Sequence, residues 1–365
     1  MTTNMSKRTE SKPGKGLNVI QPPKSTRRRR PRPKDKCAPL ASNPHSPTGA
    51  NASCSQPQST PDNNNHRSAG EVSDDDVLVI SCQQVKYRAP RDRMVRDLTP
   101  PNQVDDNGSS DSARLVVGVL SAGKDADRRQ SIRETWATNL PRGHVYFVVG
   151  GDWSVVEREY RDFHDLIWVD RQEDFNLLTF KMGVMVSVLH EVATEGSFTQ
   201  LLKTDDDIYW NIAELTEVLS PEGEAFGTDY YGNCNMGMNY PIRPYEFKNG
   251  GGDPYKLKYV MNKTTYPERC YAGYCMGWGY TMSPALVDCI AREIPFIRYM
   301  PFEDVMVGLL AQRCGGFQPT HYYQPEQWLH EYRDETWVVN MTGKIMQHPV
   351  KTLEDMMARH QSIVG

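Results

Sequence analysis

The chain has 365 residues, 38% of them hydrophobic, with 42 basic and 46 acidic side chains and a net charge of -4. That near balance argues against a nucleic-acid-binding core domain, and the 8 cysteines form neither a disulfide-dense scaffold nor a CxxC-type zinc pattern. No stretch approaches the ~20 apolar residues of a membrane span, and no signal-peptide core stands near Met1.

Residues 1–112 are rich in Ser, Pro, Asn, Asp and basic side chains. Such a composition buries too little apolar surface to offset chain entropy, so a disordered basic and polar tail is expected there. Its Arg27-Arg28-Arg29-Arg30-Pro31-Arg32-Pro33-Lys34 run reads as a solvated cationic segment in preference to a nuclear address, a nucleic-acid patch or a membrane-surface anchor. The longest early apolar patch, Val77-Leu78-Val79-Ile80, is short. A single catalytic-size domain is expected over 113–365.

It opens at Ala113–Ser121, an almost continuous apolar run of the kind that forms a strand buried on both faces. A helix is expected over 125–136, with Ile132 and Trp136 facing the core. Strands follow at His144–Val149 and Leu166–Val169, with a short helix over 154–161 between them. Leu177 to about Glu191 has helical spacing, and its Met182, Met185, Val186 and Leu189 stripe reads as core packing. A strand over 198–204 then delivers Asp205, Asp206 and Asp207, and a helix over 212–219 lies behind it. This alternation implies an α/β fold with a mainly parallel sheet covered on both faces. The second half is more irregular, with helices expected at 284–292 and 304–313.

Three adjacent carboxylates repel one another and resist desolvation. Leu201 and Leu202 precede them and Ile208, Tyr209, Trp210 and Ile212 follow, so the cluster sits at the end of a buried strand, where open α/β sheets bind ligands. A hard divalent cation such as Mg²⁺ or Mn²⁺, shared with phosphate oxygens, would hold it together; an acidic turn in solvent is the alternative. Arg128-Arg129-Gln130-Ser131-Ile132-Arg133 sets guanidinium groups near a helix start, suited to phosphate, although spacing alone favours a solvated face with Arg133 paired to a carboxylate.

Tyr271–Ser283 interleaves glycines with aromatics, which suits either close backbone approach to a sugar or nucleobase or a tight turn beside a core cluster. Glu303 and Asp304 stand where a helix begins, as capping residues or with one of them a general base. Cys234, Cys270, Cys275, Cys289 and Cys314 could pair in an oxidising lumen, the odd number leaving at least one free or paired elsewhere. Sequons at Asn51, Asn107, Asn262 and Asn340 fit a lumenal protein as well.

In this order, Arg128–Trp136, Leu202–Asp207, Gly277-Trp278-Gly279-Tyr280 and Glu303–Gly308 resemble the β-1,3-galactosyltransferase family, glycosyltransferase family 31, whose relatives include β-1,3-N-acetylglucosaminyltransferases and Fringe. The likeness runs from about Leu115 to Gln361. It implies a GT-A fold, a UDP-sugar donor, Mn²⁺ (or Mg²⁺) as the metal, and a glycan, glycolipid or glycoprotein acceptor. By position it implies Asp207 as a metal ligand with His348 completing the shell. Asp205, Asp206, Arg128, Arg133, Gly277 and Gly279 would lie about the donor, and Asp304 would be the catalytic base. Family members are usually anchored in the Golgi membrane, yet no anchor is visible here, and Trp278 stands where a small glycine is common. A catalytically inactive carbohydrate-binding protein of the same fold is the rival expectation. A nucleic-acid-associated factor led by the basic tail is a weaker one, since the 113–365 part has no basic, aromatic-lined groove pattern.

Overall fold

The first elements are a hairpin, β1 (Asp76–Ile80) and β2 (Gln83–Arg88), followed by helix α1 (Arg91–Leu98). Ile80 pairs with Gln83, so the loop is the two residues Ser81 and Cys82, with φ of 48° and 62°. Two successive left-handed residues make the turn that matches strand twist. Without a glycine there, the turn is held by Ser81 N–H donating to the Ile294 carbonyl and Cys82 N–H to the Pro295 carbonyl, each at 3.0 Å. The computed structural model describes residues 76–99, 114–140, 144–235, 239–244, 254–322, 325–329 and 340–364. The remainder of the expected tail, with its arginine run and the sequons at Asn51 and Asn107, lies outside the described residues.

The hairpin corrects the expected boundary at residue 112. Tyr87 pairs with Val169 in the main sheet, and Ile80, Val85, Tyr87, Met94 and Leu98 are all buried. One apolar face suffices for a strand near a sheet edge, and Val85 and Tyr87 supply it between exposed Gln84 and Lys86.

Next come β3 (Leu115–Leu120), α2 (Ala126–Glu134), β4 (His144–Gly150), α3 (Trp153–Phe163) and β5 (Leu166–Val169). They are followed by α4 (Leu177–Val192), β6 (Gln200–Asp205), β7 (Tyr209–Trp210) and α5 (Ile212–Leu219). The second half holds β8 (Tyr230–Asn235), β9 (Tyr274–Met282), α6 (Pro284–Glu293), α7 (Glu303–Arg313) and β10 (Thr320–His321). It closes with β11 (Trp328–Leu329), β12 (Met346–Gln347) and α8 (Leu353–Val364).

The main sheet has the order β1-β2-β5-β4-β3-β6-β9-β8-β10. Around the parallel core β5-β4-β3-β6, β2 and β9 pair antiparallel, and the other described strands run with the core. This is the expected α/β arrangement of mostly parallel strands flanked by helices. β3 and β5 are buried at every position, which their uninterrupted apolar runs require. On one face α4, apolar nearly all round, packs with α6 and α7, burying Met182, Met185, Val186 and Leu189. The other face buries Trp136, Trp210 and Trp328. A small sheet, β11-β12-β7, stands beside the end of β6.

One further expectation changes here. Tyr271–Ser283 is largely strand β9, bonded to both β6 and β8, and is not a tight turn. Disulfides join Cys234 to Cys275 across β8 and β9, and Cys289 to Cys314 between α6 and the end of α7. Cys82 and Cys270 are disulfide-bonded too.

Candidate active site

The parallel core strands all end on one edge of the sheet, and β6 carries its carboxylates there. Asp206 is buried and turned toward the loop after β3. Its Oδ2 accepts from Ser121 Oγ at 2.7 Å and its Oδ1 from Arg128 Nη1 at 2.9 Å. Burial raises its pKa, and the bonds from Ser121 and Arg128 oppose that rise. Ser121 is in turn fixed by the fully buried Arg129, whose Nη1 donates to Ser121 Oγ at 2.9 Å while its Nε and Nη2 grip Glu159. A buried cation of this kind needs several acceptors, and Arg129 finds a carboxylate, a hydroxyl and the carbonyls of Ala122 and Gly123.

Arg133 is not brought to this edge. Its guanidinium is bidentate to Asp165 at 2.8 Å and bonded to Glu159 at 2.8 Å, and it lies over the rings of Phe147 and Phe163. The pairing with a carboxylate that its spacing favoured is what forms, though largely buried and not on a solvated face, because Asp165 lies just before β5 and Glu159 on α3 within reach of the guanidinium. Arg128 alone of the two expected arginines touches the carboxylate cluster.

Asp205 belongs to a second cluster, centred on Lys203. This lysine is 1% exposed, and its Nζ donates to Asp205 Oδ1 at 2.9 Å, to Glu303 Oε1 at 2.6 Å and to the Gly277 carbonyl. Burial opposes its charge, but Asp205 and Glu303 outweigh burial and hold its pKa above the ordinary lysine value. One ammonium thus ties together the ends of β6, β9 and α7. Burial pushes Asp205 up to about 7 against the pull of Lys203.

Both expected glycines are explained by packing in β9. A Cβ on Gly277 would sit 2.8 Å from Glu303 Oε1, and one on Gly279 would sit 2.4 Å from Cζ2 of Trp210. The Trp210 indole is itself fixed, donating to Thr204 Oγ1 at 2.9 Å. The glycines therefore admit a carboxylate and an indole to the strand, and the site gains its shape through them.

Asp304 follows Glu303 in the first turn of α7, where Oδ1 accepts from Val305 N–H at 2.7 Å. Burial, reinforced by the charge of Glu303, pushes its carboxyl up to about 8. A carboxyl poised near neutrality can hold or release a proton, which is what a general base requires.

Asp207 leaves the end of β6 toward the small sheet. Its carbonyl accepts from Val350 N–H at 2.6 Å, and its Oδ1 lies 3.5 Å from His348 Nε2. The His348 ring stacks on Trp278, with centroids 5.7 Å apart and planes at 26°. Pairing of β12 with β7 delivers His348 here from 141 positions farther along the chain. Among the described residues no group of three or more His, Cys, Asp or Glu side chains stands ready to enclose a metal. Asp207 and His348 are nonetheless a carboxylate and an imidazole close enough to share one ion, leaving its other positions to substrate oxygens, a donor set that fits Mn²⁺.

The galactosyltransferase family model matches residues 127–319, more than half of the chain. The chain belongs to the galactosyltransferase family. β-1,3-Galactosyltransferase 5 of Homo sapiens is 27% identical over 208 residues, covering 54% of this chain and 63% of that protein. β-1,3-Galactosyltransferase 1 of Mus musculus is 28% identical over 211 residues, covering 55% of this chain and 60% of that protein. The match thus spans less than two thirds of these galactosyltransferases. Among solved structures, a mannosyltransferase of Pyrobaculum calidifontis in complex with GDP-Man and Mn²⁺ is similar at a TM-score of 0.32 and 17% identity, covering 63% of this chain and 60% of that one.

Galactosyltransferase-family membership does not by itself identify Lys203, Glu303, Ser121 and Arg129 as the groups that hold the carboxylates. Lys203 stands beside the acidic run and pairs with Asp205, but its second carboxylate, Glu303, is 100 residues away, which no local pattern signals.

Proposed function

We propose that the chain is an inverting glycosyltransferase. It moves a hexose, galactose or alternatively N-acetylglucosamine, from a UDP-sugar to a hydroxyl of a glycan, glycolipid or glycoprotein acceptor, forming a β-1,3 linkage. The observation that carries this reading is the attachment of Asp304, through neighbouring Glu303 and Lys203, to the strand end that bears the three aspartates. A base and a carboxylate cluster on one rigid frame suit displacement between two bound sugars.

Asp207 and His348 would hold Mn²⁺, which when bound neutralises charge on the departing diphosphate. Arg128 adds a second cation beside the cluster, through its bond to Asp206. Asp304 takes the proton of the acceptor hydroxyl as that oxygen attacks the anomeric carbon opposite the leaving group, so an α-linked donor gives a β-linked product. The same reading places the protein in the Golgi, with the membrane association usual in the family, and its disulfides suit an oxidising compartment.

The test is UDP release by the full chain offered UDP-galactose or UDP-N-acetylglucosamine, with and without Mn²⁺, beside Asp207→Ala and Asp304→Asn. Transfer that needs Mn²⁺, and that both variants lose, is expected. A folded Asp304→Asn chain with full turnover would refute the base assignment. Sugar binding without turnover in any condition would favour the inactive carbohydrate-binding reading.

A further inference from the structure

A cavity of about 510 Å³ lies away from the carboxylates, between the loop after β5, the start of α4, the β1–β2 turn and Tyr299. Its volume is that of a small-ligand site, about 300–1,000 Å³. Tyr299 stacks on Phe180, with centroids 5.6 Å apart and planes at 22°, and the Arg171 guanidinium covers Phe180 at 3.9 Å. Around this stack stand Gln83, Gln172, Asn176 and Asp174. Arg171 and Asp174 cancel in charge, so the lining has no excess cation for a phosphate or a second nucleotide. Phe180 is itself covered, so the Tyr299 ring, with the planar amides and one balanced charge pair around it, is the surface that suits a neutral polyhydroxylated ring.

The position of the cavity says which ring. The loop after β5 lies on the same sheet edge as Asp206 and Asp207, and β5 is three strand spacings, about 14 Å, from β6. Tyr299 precedes Asp304 by five residues, so their Cα atoms are no more than about 18 Å apart. Phe175, partly exposed, adjoins the cavity-lining Asp174 and Asn176 in sequence and meets Tyr259 and Phe302 with ring centroids 6.0 and 6.1 Å away, and Phe302 stands two residues before Asp304.

We propose that this cavity is a subsite for the inner sugars of an oligosaccharide acceptor whose terminal hydroxyl lies at Asp304. The proposal rests on the glycosyltransferase reading and extends it. The enzyme would then prefer oligosaccharide acceptors to a single sugar, because only the longer acceptor occupies both Asp304 and the cavity.

The full chain is assayed with two acceptor pairs of matched terminal sugar: methyl β-galactoside with lacto-N-neotetraose, and methyl β-N-acetylglucosaminide with chitotetraose. For whichever pair is used, the tetrasaccharide should show a KM about tenfold lower, and Tyr299→Ala or Gln172→Ala should erase that advantage while shifting the short acceptor less than about twofold. A tetrasaccharide advantage that survives both variants, an equal loss for both lengths, or no advantage in the wild type overturns the subsite. If no acceptor is modified, the catalytic reading fails, and calorimetric binding of the same four sugars decides the subsite. Tetrasaccharide binding weakened about tenfold by Tyr299→Ala sustains it; absent or unaltered binding overturns it.

Discussion

Burial and the charge of Glu303 favour the protonated form of Asp304 in the free protein, its carboxyl being pushed up to about 8. As the proposed base it must be ionised, so kcat/KM is expected to rise with pH through that region before levelling. Folding linkage runs the other way. The folded pKa lies above the ordinary value of 3.8, so between the two the folded chain binds more protons than the unfolded chain, and stability falls as pH rises from about 4 to about 8. Thermal melts of wild type and Asp304→Asn at pH 5 and pH 8 isolate this contribution. The variant should lose less stability over that interval, and an equal loss would contradict the raised pKa. Lys203 invites a second comparison. Lys203→Met strands the Glu303 carboxylate in the interior and should cost about 3–5 kcal/mol, whereas Lys203→Met with Glu303→Leu should cost clearly less. Urea unfolding of the two separates them, and equal losses would mean that the ammonium does little for Glu303.

At the scale of elements, the hairpin and α1 are the least expected part of the fold. Burying Ile80, Val85, Met94 and Leu98 contributes about 1.5–3 kcal/mol each, comparable in sum to a domain's whole stability of about 5–15 kcal/mol. A chain beginning at residue 113 should therefore be insoluble or melt far below one beginning at residue 76, and equal melting temperatures would show the hairpin to be dispensable. The strands β3, β4, β5 and β6 were legible because a strand buried on both faces must be apolar throughout, as Leu115–Leu120 is. β2 was not, because its signal is the mere alternation of Val85 and Tyr87 with Gln84 and Lys86 inside a polar region. β9 was misread because Gly277 and Gly279 resemble loop residues. Only the positions of Glu303 and Trp210 reveal why a strand needs them. The carboxylates of the site were legible as a cluster; of their cationic partners Arg128 was legible as a basic residue at a helix start, whereas Lys203, inside the apolar strand itself, was not.

At the scale of the whole molecule, the Cys234–Cys275 and Cys289–Cys314 disulfides brace the second half, where the sequence is least regular. The Cys289–Cys314 bridge spans a separation of 25 residues. Replacing both cysteines with alanine should lower stability by about 3 kcal/mol, checked by denaturant unfolding. An unchanged midpoint would mean that α6 and α7 pack fully without it. The delivery of His348 by β12 also has a consequence in time. The aspartates of β6 leave the ribosome well before their imidazole partner, and the segment that matches the family model ends at residue 319, still short of it. A nascent chain can thus complete its central sheet core while the proposed cation site stays half built. A stop codon shortly before His348 would leave a product carrying the whole family signature and lacking one of the two residues proposed to hold the metal.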